Sequence, residues 1–108
     1  MDTARIPAHL EVAGLLRAVE AQGGFGTVLA KGEHEAGTLL VICCDRGTNN
    51  CLFERMPQLD GTRKWTLSKQ ESPENPSEIT EYWQRRKRQD HDLWVIELEH
   101  PEATRFLT

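Results

Sequence analysis

The residues best suited to chemistry are four consecutive cations, Arg85, Arg86, Lys87 and Arg88. On a helix such a run covers nearly one turn, so its members point in several directions and cannot all touch one ligand. Arg85 and Arg88, three apart, share a face. Arg63 and Lys64 join them if the strand that carries this second pair neighbours the helix. Arg63, Lys64, Arg85 and Arg88 are therefore the candidate site for a phosphate or an acidic partner, with arginine favoured for its bidentate fork. The same run also has a structural use. Cations at a helix C-terminus suit the negative end of its dipole, and Glu81 lies four residues before Arg85.

Two histidines stand between acids: His34 between Glu33 and Glu35, and His91 between Asp90 and Asp92. Adjacent loop residues can supply two ligands to a divalent ion, but a protein zinc site gathers three or four. Asp90, His91 and Asp92, with Glu33 and His34, are thus weak metal candidates, and otherwise solvated turn residues. His9 and His100 have no helpful spacing. The three cysteines, Cys43, Cys44 and Cys51, are an odd number and a poor disulfide framework. Cys44 and Cys51 flank an expected hairpin loop, which leaves a disulfide between them as the alternative to buried free thiols. A nucleophilic cysteine needs a base and an electropositive setting, whereas Cys43 and Cys44 lie in the most apolar segment. Trp65, Trp83 and Trp94 fall on core faces; an aromatic groove for a peptide or small ligand is the alternative use.

No motif calls for a cofactor, and none is expected. Gly23-Gly24-Phe25-Gly26 lies between helix and strand, the reverse of the order that aims amides at a phosphate. There is no G-x-S-x-G elbow, C-x-x-C, H-E-x-x-H or EF-hand loop.

The elements that must position these residues are legible from periodicity. Val12, Leu15, Leu16 and Val19 make one stripe of a helix from Pro7 to Gln22, stopped by Gly23-Gly24. Four strands follow, Phe25 to Lys31, Thr38 to Cys44, Cys51 to Met56 and Arg63 to Ser68, joined by turn-forming stretches. Short turns make neighbours antiparallel, which reads as a meander. Leu39 to Cys44 is apolar throughout, so that strand is central with both faces covered. Asn75-Pro76-Ser77-Glu78 has the form of a helix start, with Asn75 as cap. This second helix runs to about Gln89, with Ile79, Tyr82 and Trp83 inward and the stem of Arg86 over the sheet edge. Leu93 to Glu99 is a fifth strand, ended by Pro101. Residues 102–108 form a loosely ordered tail, tacked down by Phe106 and Leu107.

The chain has 108 residues, 38% of them hydrophobic and 28% charged, with net charge −4. That suits one soluble domain spanning residues 1–108. The charge is uneven: acids and bases balance through residue 70, while the last third holds the whole acidic excess together with the only basic run. The mild acidity excludes a broad basic field for non-specific nucleic-acid binding. An acidic protein surface is thus a better partner than nucleic acid. No apolar run approaches the ~18–20 residues that cross a bilayer. With no export signal or lipidation motif, the chain is expected to be cytoplasmic and away from membranes.

A family resemblance adds to this. Asp90-His91-Asp92-Leu93-Trp94-Val95-Ile96-Glu97-Leu98-Glu99 resembles the D-P-D-L-W-V-V-E-I-E signature of small alphaproteobacterial proteins grouped as domain of unknown function family 1491. Leu15-Leu16-Arg17 with Ala21-Gln22-Gly23 is similar to that family's opening helix. Lys31-Gly32-Glu33-His34-Glu35-Ala36-Gly37-Thr38-Leu39-Leu40-Val41 is similar to its R-G-D-x-D-A-G-x-L-L-V turn and strand, and Trp65 to the tryptophan of its fourth strand. The resemblance covers most of residues 12–107, with His91 in place of the family's proline. It implies a stand-alone cytoplasmic protein with no established activity, and it carries over no catalytic residues.

The expected fold is α+β, in the order α-β-β-β-β-α-β, with a mostly antiparallel five-stranded sheet carrying both helices on one face. The second strand then needs cover on its other face, which a homodimer would supply. The expected function is a non-enzymatic protein-interaction or regulatory module with a protein partner. The alternatives are a phosphate or nucleic-acid binder using the basic end of the second helix, and a small enzyme or metal protein using Asp90, His91 and Asp92.

Overall fold

The strand that is apolar at six successive positions forms the centre of the molecule. In the computed structural model, which describes residues 6–107, this strand is β2 (Leu39–Asp45), and Leu39 to Cys44 are all buried. Residues 1–5 and Thr108, at the ends of the expected domain, lie outside the described residues. Around β2 stand α1 (Ala8–Ala21), β1 (Phe25–Ala30), β3 (Thr48–Pro57), β4 (Arg63–Gln70), α2 (Glu78–Gln89), β5 (Trp94–Glu99) and a 3-10 turn at Ala103–Phe106. The α-β-β-β-β-α-β order is as expected.

Alternation along β2 sends its side chains to two cores. Leu39, Val41 and Cys43 pack with Ala8, Val12 and Val19 of α1 and with Trp94, Ile96 and Leu98 of β5. Leu40 and Ile42 pack with Ile79 of α2, Leu52, Leu93 and Val95. The helices therefore lie on opposite faces of the sheet, which corrects the expectation of both on one face. The reason is local: a strand that is apolar on both sides needs a layer on each, and the chain supplies both itself. The second face needs no partner molecule to cover it. Each fully buried Leu, Ile or Val contributes about 1.5–3 kcal/mol.

The sheet order is β1-β5-β2-β3-β4. The meander holds for β2, β3 and β4, which are antiparallel neighbours. It does not extend to β1, because β5 inserts between β1 and β2, antiparallel to the first and parallel to the second. The sheet is thus mixed. β5 is apolar on both faces at Trp94 to Ile96, so it too takes a central position. The Lys31–Thr38 connection passes over its start, where the Glu33 amide donates to Asp92 O and the Trp94 amide to Thr38 O.

Turn chemistry sets the remaining boundaries. Arg46 and Gly47 both take positive φ, 53° and 76°, so β2 and β3 join through a tight primed-type turn closed by Asp45 opposite Thr48. β3 accordingly starts at Thr48, earlier than the turn-rich sequence suggests. α2 starts at Glu78 with Ser77 at its cap position, because Asn75 is held in a bridge with Ser72. The tail expected to be loose is folded down as far as Leu107. Ala103 is buried, Phe106 and Leu107 pack on the α1 core, and His100 Nδ1 accepts the Glu102 amide at 2.9 Å. No helix among the described residues is long and apolar enough to cross a membrane.

Candidate functional site

The basic run divides in two. Arg86 turns inward, donating to Glu54 Oε1 at 2.5 Å and to the Tyr82 hydroxyl at 2.7 Å, while that hydroxyl donates to Glu54 Oε2 at 2.6 Å. Burial pushes the Glu54 carboxyl up, but the hydrogen bonds from Arg86, Tyr82 and Ser68 outweigh it and hold it below its usual range. Burial works against the Arg86 charge, and the bonds to Glu54 and Tyr82 overcome that as well, raising its pKa. Lys87 Nζ donates to three main-chain carbonyls, Lys31 at 2.6 Å, His91 at 2.6 Å and Leu93 at 2.9 Å. It uses all its protons to pin the end of α2 to the strand termini beside it. Arg85 and Arg88 stay exposed, Arg85 with its guanidinium 5.6 Å from the Tyr82 ring centre.

Arg63 and Lys64 begin β4, and they gather with different companions. Register places Trp65 opposite Arg55 of β3. The Arg55 guanidinium stacks 4.6 Å from the Trp65 ring centre and donates to Glu11 Oε1 of α1 at 2.6 Å. Arg55, Arg63, Lys64, Trp65 and Leu107 line a cleft of about 230 Å³. A second cleft of about 200 Å³ lies on the far side of Arg55, between Glu11, Ile6, Ala36 and Gly37. The four cations proposed from sequence thus separate into two pairs. Arg63 lies on the Trp65 face, and Lys64, one residue on, turns to the opposite face at the rim of this cleft, whereas Arg85 and Arg88 belong to α2. Arg55 was not visible as a member, since the Arg55–Trp65 pairing depends on a register set by the loop between β3 and β4.

The histidine and carboxylate candidates also rearrange. His9 stacks on His34 with ring centres 3.5 Å apart and planes within 10°, and its Nδ1 lies 2.9 Å from His34 O. Their donor atoms and a Glu35 carboxylate oxygen lie within 4.8 Å of one another. Imidazole lone pairs lie in the ring plane, so two parallel stacked rings do not converge on one ion without turning. The Glu33 carboxylate caps the turn, accepting the amides of Glu35 at 2.8 Å and Ala36 at 2.9 Å, which lowers its pKa. Asp90 Oδ1 accepts the Asp92 amide at 3.0 Å. His91 and Asp92 contribute main-chain carbonyls to Lys87 and Glu33. Among the described residues the other donor cluster is Cys44, Glu97 and Glu99, which sequence spacing did not suggest because it spans the parallel β2–β5 pair.

All three thiols are free. Cys51 faces Cys43 across the ladder rather than Cys44, because the tight turn shortens the loop and alternation turns Cys44 to the opposite face. Burial, then the neighbouring Cys51 and Cys44, push the Cys43 thiol up to about 12. Burial, then Glu97, push Cys44 up to about 11.

The family model "Protein of unknown function (DUF1491)" matches residues 6–108. The chain belongs to this family. A crystal structure of a DUF1491 family protein from Caulobacter crescentus is similar to it at 34% identity, covering 96% of each chain with a TM-score of 0.85. An NMR structure of a DUF1491 family protein from the same organism is 34% identical over 98% of this chain and 96% of that one, with a TM-score of 0.81. A solution structure of a protein from A. tumefaciens is 30% identical over 97% and 94%, with a TM-score of 0.76. No curated protein matches the chain.

In this DUF1491 protein the two stretches that most resemble the family pattern touch each other. Gly32 and Gly37 bracket the 33–36 turn, and each lies so close to the Asp92 carbonyl that a Cβ would overlap it. The turn and the Asp90–Trp94 stretch are therefore one unit, closed by Lys87 from above and by Trp94 from within.

Proposed function

We propose that this DUF1491 protein is a cytoplasmic, non-enzymatic interaction module, and that it grips an acidic protein segment in the cleft around Trp65. The carrying observation is that Arg63 shares the face of β4 that bears Trp65 and its Arg55 partner, with Lys64 at the rim of the same cleft. Arg55 is already neutralised by Glu11, so its role is to orient the ring. Arg63 and Lys64 are exposed at the start of an edge strand and are the cations offered to a ligand. An extended carboxylate-rich segment suits this arrangement, with its backbone along β4 and its acids toward the cations. The thiols are poor nucleophiles at neutral pH because burial keeps them protonated.

The test is a fluorescence anisotropy titration with a labelled acidic peptide and, separately, a single-stranded oligonucleotide, at about 50 mM salt and again at about 200 mM. Saturable peptide binding is expected, weaker at the higher salt and several-fold weaker in the Arg63→Ala/Lys64→Ala variant, with Arg85→Ala/Arg88→Ala unchanged. Peptide binding equal in wild type and the Arg63/Lys64 variant, or tighter binding of the oligonucleotide, would overturn the reading.

A further inference from the structure

The two edges of the sheet are opposites in chemistry. β4 carries Arg63, Lys64 and Lys69 along its length, the cationic dressing that deters one sheet from pairing with its own copy. β1, at the other edge, reads Phe25-Gly26-Thr27-Val28-Leu29-Ala30, with no charge and no proline. Its side chains are unusually bare. Phe25 is 71% exposed, Val28 40% and Leu29 36%. Among the described residues its protective device is a bulge between Val28 and Ala30, which leaves Phe25 to Val28 in regular register with β5. An uncharged apolar edge of this kind presents a row of unpaired N–H and C=O groups to solvent.

We propose that β1 is a homodimer interface, pairing antiparallel with β1 of a second copy to make one continuous sheet. The strand's own pattern favours itself over a foreign strand. Phe25 and Thr27 lie opposite Glu99 and Glu97, and Leu29 lines a cleft with Ile42, Ile79 and Trp83, so all three face the α2 side. Gly26 and Val28 lie opposite Leu98 and Ile96 and face the α1 side. A two-fold axis perpendicular to the sheet keeps each face continuous, so residues of like face must oppose each other. Centring the axis on Thr27 sets Phe25 against Leu29 and Gly26 against Val28. Both exposed apolar side chains on the α2 side then find each other, and on the α1 side the bulky Val28 meets a glycine. No like charges oppose one another anywhere along the strand. This interface is isologous and closed, so it stops at two copies, and it leaves β4 and the Trp65 cleft free.

The test is light scattering after gel filtration, run from low micromolar to near-millimolar chain. Wild type is expected to shift with concentration toward twice the 12.3 kDa mass of one chain. Thr27→Lys puts two ammonium groups on the axis while giving each its own Glu97 as neighbour, so it should remain folded by circular dichroism and run as a monomer. Lys64→Glu, at the other edge, should leave the mass unchanged. Under mild oxidation the Thr27→Cys variant should cross-link between copies, with the disulfide mapped to position 27 by mass spectrometry. Wild type monomeric at every concentration overturns the inference, as does a dimer that survives Thr27→Lys or breaks with Lys64→Glu. A monomeric wild type would leave the reading of the Trp65 cleft untouched, since that reading is scored on peptide binding.

Discussion

The indole N–H of Trp94 donates to the main-chain carbonyl of Glu33 at 2.7 Å, across 61 positions of sequence. Trp94 is only 4% exposed, so this bond is made where water cannot easily replace it. It joins the start of β5 to the turn between β1 and β2, the two strands that β5 lies between. Trp94→Phe keeps an aromatic ring in the core and removes the donor. The expected cost is about 1–3 kcal/mol, seen as a fall of at least several degrees in the midpoint of thermal unfolding. An unchanged midpoint would mean that the bond is not a tie.

Gly32 and Gly14 should respond with opposite signs to the same substitution. At Gly32 a Cβ would strike main-chain atoms of Asp92 and Leu93, which cannot swing aside. Gly32→Ala should therefore destabilise by about 1–3 kcal/mol through forced backbone shifts. Gly14 is exposed within α1, and a Cβ there meets nothing within 4 Å. Gly14→Ala should stabilise by about 0.5–1 kcal/mol through helix propensity and a less flexible unfolded chain. Urea midpoints of the two variants, on either side of wild type, are the check.

Lys87 and Arg88 are adjacent cations with unequal work. Lys87→Met retains the aliphatic stem but leaves the carbonyls of Lys31, His91 and Leu93 without their shared donor. A loss of about 1.5–3 kcal/mol follows for hydrogen bonds to a charged group. Arg88 is exposed, and Arg88→Ala should stay within about 0.5 kcal/mol of wild type. Equal effects in chemical denaturation would contradict the division of the run into structural and free members.

These contrasts mark what the residue pattern discloses and what it hides. Periodicity placed both helices and five strands, because burial demands act locally and repeat every two or 3.6 residues. It identified Leu39 to Cys44 as doubly covered, and the structure supplies that cover from α1 and α2. It missed the insertion of β5 beside β1, since the apolar segments that pair are far apart in sequence and several pairings satisfy the same pattern. The cations show the same limit. Arg63 and Lys64 were legible as a pair, but Arg55 joins that cleft through strand register, and the inward course of Arg86 was legible while its partner Glu54, distant in sequence, was not. His9 meets His34 only because α1 begins against the 33–36 turn, where the Ala8 and His9 amides bond Glu35 O and His34 O.

Glu54 makes the pH dependence specific. Its carboxyl is held below its ordinary value in the folded protein by Arg86, Tyr82 and Ser68 against the opposing effect of burial. A carboxyl with a depressed folded pKa contributes stability that is fully present above the unfolded value, about 4.3, and is lost as pH falls through the folded value. Glu54→Gln keeps an acceptor for Tyr82 but removes the countercharge of a guanidinium whose side chain is only 29% exposed. At neutral pH the variant should be less stable than wild type by about 1–3 kcal/mol. That gap should hold down to the unfolded carboxyl range and then close as acid protonates Glu54 in the wild type. Arg86→Met in the Glu54→Gln background should cost less than Arg86→Met alone, since a stranded charge is removed rather than created. Urea titrations of the four proteins from neutral to acid pH decide it. A gap that persists undiminished below the folded titration would show that the loss comes from packing around Tyr82 and not from the Glu54–Arg86 charge pair.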